Sequence, residues 1–204
     1  MAQEALQTEN RFERLMAAAA GGETGRHLAH LMAWLILGPR LGIGCLPLNL
    51  GLSPELFEAL FERLFDGDDA QEALCLSASD AHLLETRSCM REELMELRAE
   101  ERADLVSLLE AYRQPQIPSE LSTIIATGCL GGDHLWRDLG LPDRNALSAL
   151  MQLAYPQLKA LNDRDMKWKR FFYKQLCERG GGYVCRAPSC DQCSAYSDCF
   201  GPET

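Results

Sequence analysis

The sequence predicts an all-α fold, a helical bundle with a C-terminal cysteine-rich metal-binding loop. Three observations carry that prediction. Apolar residues recur at helical spacing through most of the chain, and no segment keeps up the alternation of a strand. Gly and Pro clusters interrupt the apolar runs where helices end. Four cysteines, Cys185, Cys190, Cys193 and Cys199, crowd a polar stretch near the C-terminus, where core packing has no use for them.

The elements follow in order. ENRFERLMAAAA places Phe12, Leu15 and Met16 at i, i+3 and i+4 and is expected to end at Gly21-Gly22. GRHLAHLMAWLILG is apolar around most of a helix and should stop at Gly38-Pro39. LGIGCLPLNLGL reads as a Gly/Pro-broken apolar loop. In SPELFEALFERLF, Ser53 is an N-cap, Pro54 the first helical residue, and Leu56, Leu60 and Leu64 a core stripe. From Asp80 to Arg113 the pattern fits one long helix or two broken near Arg98 to Arg102. QPQIP is a turn. SELSTIIATGCLGGDHLW is a helix closed by glycines, and DRNALSALMQLAYP another. DRDMKWKRFFYKQLCERGGG is the last, ended by Gly180 to Gly182, with Trp168, Phe172 and Leu176 facing the core. The chain shows no internal repeat. It divides into a variable segment 1–24, a helical domain 25–182 and a cysteine-rich cluster-binding loop 183–204.

Composition narrows the function. The chain has 204 residues and a net charge of -10, which argues for solubility and against nucleic-acid binding. The longest apolar run is too short to span a membrane and contains His30. The opening MAQEALQTENRFERL is polar and acidic, unlike a signal or transit peptide, so a cytoplasmic location is expected. Thiols there bind metal in preference to forming disulfides, and nine cysteines is an odd number for a disulfide framework.

The four clustered cysteines are spaced C-x4-C-x2-C-x5-C. Short ligand spacings suit a chain wrapping the corners of a cuboidal cluster. The first three match plant-type ferredoxins, whose fourth ligand lies far downstream in a β-rich fold. Structural zinc usually uses two C-x2-C knuckles, and only Cys190 and Cys193 form one. An iron–sulfur or mixed-metal cluster, zinc, and thiol redox chemistry all stand as readings of the spacing.

Charge is uneven. Arg164 to Arg186 holds seven basic and two acidic residues, +5 in a chain of -10. Lys167, Arg170 and Lys174 share a helix face leading to the cysteine loop, with Cys177 beyond them. Such a face suits a thiolate cluster or an oxyanion such as molybdate, or is simply solvated surface. Upstream, Cys129 and His134 are four residues apart across Gly131 and Gly132. They read either as a ligand pair on one centre or as a buried thiol and a helix cap. Cys45, Cys75 and Cys89 read as packing residues. His27, His30 and His82 read as structural or surface residues.

These segments carry a resemblance. DMKWKRFFYKQLCE with VCRAPSCDQCSAYSDCFG resembles the C-terminal signature of the NifQ family of nitrogen-fixation proteins. CLGGDHLWRDLGL resembles a second block of that family, and LPLNLGL a third, weaker one. The resemblance implies an iron–sulfur molybdenum carrier, which processes molybdate into a Mo–Fe–S cluster and donates molybdenum for the nitrogenase iron–molybdenum cofactor. It implies Cys185, Cys190, Cys193 and Cys199 as ligands of a 4Fe-4S or Mo-3Fe-4S cluster. Cys129 and His134 are further metal-ligand candidates. The implied partners are the cofactor scaffold NifEN and the nitrogenase iron protein. A carrier, more than a classical enzyme, is the expected role. A zinc-stabilised interaction module and a simple iron–sulfur electron-transfer protein are the alternatives.

Overall fold

The computed structural model describes residues 2–76, 80–180 and 196–200. Within them the chain forms α1 (Ala2–Ala17), α2 (Glu23–Arg40), α3 (Pro54–Leu64), α4 (Asp68–Leu74), α5 (Ala81–Glu96) and α6 (Ala99–Glu110). Then come α7 (Glu120–Cys129), α8 (Leu135–Asp138), α9 (Arg144–Ala154), α10 (Pro156–Leu161), α11 (Trp168–Arg179) and α12 (Tyr196–Cys199). The all-helical prediction holds for the described residues, where the only β feature is an isolated bridge between Ala19 and Phe65. None of these helices is long and apolar enough to cross a membrane.

Local chemistry explains most boundaries. The Ser53 hydroxyl accepts from Leu56 N at 3.3 Å, and Pro54 opens α3, where its missing N–H costs nothing. Asp143 caps α9 through Ala146 N at 2.8 Å. The stretch 80–113 is two helices, broken at Leu97 and Arg98.

Four expectations are corrected. The first helix ends at Ala17, short of the glycines. Ala20 N bonds Leu64 O and Asp66 N bonds Ala18 O, so pairing with the end of α3 replaces helical bonds. α2 runs through Gly38-Pro39 to Arg40, with Leu41 N still bonded to Leu37 O at 3.0 Å. A Cβ on Gly38 would lie 3.2 Å from Gly140 Cα, so that glycine serves a backbone-to-backbone approach and not a helix stop. Leu56 is half exposed. The rings of Phe57, Phe61 and Phe65 follow one another at 6.3 and 5.3 Å and take the inner face with Leu60 and Leu64. The last long helix starts at Trp168, because Asp165 has φ 53° and Asn162 brackets Met166 with two 2.8 Å bonds.

One core joins the elements, from Leu15 on α1 through Ile36, Leu109, Ile125 and Met151 to Phe172 on α11 and Phe200 beyond α12. As expected, Trp168 and Phe172 are buried and Leu176 packs on the core. Tyr155, fully buried, shares a 2.9 Å hydrogen bond with Ser122, whose hydroxyl donates to Glu110, itself paired with Arg113. The connection from Leu41 to Leu52 threads between α5 and α8. There Gly44 has φ 74°, and a Cβ on it would stand 2.6 Å from Asp138 O and 2.9 Å from Arg137 O.

Gly44→Ala should therefore destabilise the fold by about 2–3 kcal/mol, strain and clash combined. Phe61→Ala should lose about 3–5 kcal/mol, and Leu56→Ala no more than about 0.5. Urea unfolding of the three variants checks the ranking.

Candidate metal centre

Cys129 closes α7, and the chain then turns on Gly131 and Gly132 into α8, where His134 is the N-cap residue. Asp138, at the end of α8, is buried and organises what surrounds it. Its backbone carbonyl accepts from Cys45 N at 2.8 Å, and its carboxylate accepts from Asp133 N at 2.9 Å. The same carboxylate pairs with Lys169 of α11, whose ammonium also donates to Gly131 O at 2.8 Å. A Cβ on Gly131 would collide with that carboxylate, so only glycine lets the loop close over it. Three separate segments thus meet on one residue, one at its backbone and two at its carboxylate.

Two clefts open on either side of this loop, and Gly132 lines both. The first, of about 290 Å³, is bounded by His134, Lys167, Trp168, Arg170 and Asp198. Lys167 N bonds Cys199 O at 2.8 Å, and its ammonium donates to Ser197 O at 3.1 Å. Phe200 is buried in the core, under Arg164 and stacked on Tyr196 at 4.4 Å. Cys199 is therefore fastened beside the cleft that His134 lines. The Trp168 indole N–H is buried with no hydrogen-bond partner among the described residues.

The second cleft, of about 500 Å³, is lined by Cys45, Arg91, Leu94, Arg98 and Thr127. Arg91 donates to Gly44 O and Leu46 O, and Arg98 to Leu130 O, so guanidinium groups hold the loops on both sides. Arg98 also grips Glu101 through two bonds of 2.6 and 2.7 Å, and Tyr173 donates to the same carboxylate. The Arg98 bonds hold the Glu101 carboxyl below the usual range. Burial, then the bond to Glu101, raises the Tyr173 phenol.

Cys129 lies in the interior behind these clefts, and Cys45 sits partly buried on the wall of the second. Burial pushes both thiols up to about 12; the nearby Asp138 charge raises Cys45 further, and Lys169 opposes the rise in both. Cys129 is 2% exposed, whereas His134 is partly exposed on the first cleft. Among the described residues no three His, Cys, Asp or Glu side chains stand together as a metal-binding group. Cys185, Cys190 and Cys193 lie outside the described residues. Of the basic trio, Lys167 and Arg170 line the first cleft, and Lys174 pairs with Glu178 at 3.4 Å. Cys177 is partly buried on α11.

Sequence reasoning assigned Cys45, Cys75 and Cys89 to packing. Cys75 and Cys89 are exposed, and Cys45 is partly buried at a cleft wall. It also missed Asp138 and Lys169. The signal was available in the alternation Lys167-Trp168-Lys169: with Trp168 buried, the flanking lysines lie to either side of it and only one meets Asp138. His27, His30 and His82 are exposed, as expected, with His30 edge-on to Phe12 at 5.2 Å.

Comparison with known proteins decides the family. A profile described as NifQ matches residues 27–201. The chain belongs to the NifQ family. It is 44% identical over 195 residues to Protein NifQ of Azotobacter vinelandii, covering 92% of this chain and 98% of that protein. Protein NifQ of Klebsiella pneumoniae is 39% identical over 168 residues, 82% of this chain and 93% of its own. A NifQ homolog from Sinorhizobium fredii is 34% identical over 187 residues, with 82% and 81% covered. No solved structure matches the chain. As a NifQ family member, the protein is one of nitrogen fixation.

The Cys129 and Cys45 thiols give a pH signature. Each holds its proton from 9.0 up to about 12 in the folded chain, so its stabilising contribution is present below about pH 9 and lost as pH rises toward 12. Urea unfolding should show stability falling from about pH 9 upward, with a shallower fall in Cys45→Ala. Brief alkylation of the native chain near neutral pH should label Cys75 and Cys89 and leave Cys129 unmodified.

Proposed function

We propose that this NifQ family protein is a cytoplasmic molybdenum carrier: it takes in molybdate and donates molybdenum for the nitrogenase iron–molybdenum cofactor. Molybdenum is cargo in this reading, and the protein acts as donor more than as classical enzyme. The observation that carries it is the fastening of Cys199, last of the four clustered cysteines, beside a cleft bearing His134, Lys167 and Arg170. The donor set fits: thiolates are soft ligands suited to iron and reduced molybdenum, and imidazole is a borderline one. The orphaned Trp168 N–H in the cleft's lining residue fits a polar guest.

Cys185, Cys190, Cys193 and Cys199 would hold a 4Fe-4S or Mo-3Fe-4S cluster, which supplies sulfide ligands and electrons when bound. The remaining steps belong to the chain itself. Lys167 and Arg170 attract the molybdate anion in an otherwise acidic molecule. The Asp138–Lys169 pair holds the Gly131–His134 loop in place, so the imidazole stands at the cleft without reorganisation. His134, partly exposed, is the exchangeable ligand that release requires, and Cys129 is held in reserve behind it. NifEN and the nitrogenase iron protein are the proposed recipients and helpers.

Metal and acid-labile sulfide analysis of protein purified without oxygen from molybdate-supplied cells tests this. Brown protein containing iron, sulfide and molybdenum is expected, and a colourless protein with one zinc would sink the reading. Cys190→Ala or Cys193→Ala should abolish iron binding. His134→Ala should keep the iron and lose most of the molybdenum or its transfer; unchanged molybdenum would remove the imidazole from the site.

A further inference from the structure

Arg40, which closes α2, is a partly buried cation without a counter-ion among the described residues. Its Nη1 donates to Ile36 O at 2.9 Å and Leu48 O at 3.0 Å. Its Nε is buried and has no partner among the described residues, and the guanidinium lies 5.1 Å over the Phe57 ring. The charged neighbour that acts on it is another cation, Arg11, which donates to Cys75 O at 2.9 Å. Burial and then Arg11 bring the Arg40 pKa down to about 10, which leaves it charged at neutral pH.

This is an odd choice for the chain. It holds 30 acidic residues against 20 basic ones, yet among the described residues no carboxylate meets this desolvated cation. Removing a cation from water without a partner costs several kcal/mol, and natural sequences usually supply one. Arg40 lines a cleft of about 330 Å³ whose other walls are apolar side chains, two amides and the exposed carboxylate of Glu58. Phe57, Phe61 and Leu74 are apolar, and Asn49 and Gln71 carry amides. The Asn49 carbonyl is engaged by Gly51 N at 3.0 Å, which leaves its NH2 as donor. Glu58 lines the cleft, is exposed, and makes no ion pair with Arg40. None of these residues belongs to the two clefts beside Asp138.

We propose that this cleft binds a small organic carboxylate, its anionic end on Arg40 and the amides of Asn49 and Gln71, and its apolar body against Phe57, Phe61 and Leu74. A planar guanidinium fork matches a carboxylate. The ring-lined walls favour a hydrocarbon body over a compact, fully hydrated anion such as sulfate.

The full-length, metal-free chain is the material for the test, which keeps it independent of the molybdenum reading. Thermal midpoints are measured in benzoate, sulfate and chloride at equal ionic strength, with benzoate affinity from calorimetry. Benzoate should raise the wild-type midpoint above both other salts. Arg40→Met should be at least as stable without benzoate and unresponsive to it. Arg40→Lys, which keeps the charge and loses the fork, should bind benzoate about tenfold more weakly. An Arg40→Met chain that responds like wild type overturns the proposal, as does sulfate matching benzoate. If Arg40→Met does not fold, Arg40→Lys decides: affinity equal to wild type overturns the site.

Discussion

The Asp138–Lys169 pair is the contact on which the rest of the candidate centre depends. Asp138 is almost fully buried, and Lys169 is the cation that meets its carboxylate. A buried carboxylate is tolerable only when its partners are complete, and here they are supplied by parts of the chain far apart in sequence. The Cys45 loop bonds its backbone, the glycine turn bonds its carboxylate, and α11 brings the neutralising charge. Breaking the pair would leave a charge stranded in the interior and release three segments at once.

The helices were legible because their signals are local: Ser53-Pro54, Asp143, and the buried Trp168 and Phe172 stripe all act within a turn or two. What stayed hidden was set by tertiary contact. Gly38-Pro39 looks like a stop, but Gly38 is needed for close approach to Gly140, and α2 continues for its last turn. Leu56 fits a leucine stripe, but the larger phenylalanine rings rotate α3 and leave it in water. The site divides in the same way. His134, Lys167 and Arg170 were readable from spacing and charge and do share one cleft. The dependence on Asp138 and Lys169, and the place of Cys45 behind them, needed the fold, because no periodicity links residues 45, 138 and 169.

Several arginines in this protein hold loop backbone. On the stretch facing the glycine-rich connection, Arg87, Arg91 and Arg98 donate to carbonyls of Gly42, Gly44, Leu46 and Leu130. They satisfy loop backbone that makes no helical bonds, which lets an irregular segment run close to the core. Beside them on α5, Leu83, Met90 and Leu94 are all more than half exposed. Arg40 also holds a loop carbonyl, but it alone among these lines a ring-walled cleft.

The wall between the His134 cleft and the Cys45 cleft is made largely of peptide without side chains, since Gly132 belongs to both and Lys169 grips the carbonyl of Gly131. A displacement of that peptide reshapes both spaces together. Occupants of the two clefts are then linked thermodynamically: whatever factor one imposes on the affinity of the other, it receives in return. A guest on the Cys45 side that pulls Gly131 from Lys169 would loosen the imidazole's seat in the other cleft. The two glycines thus make the protein's two faces parts of one equilibrium.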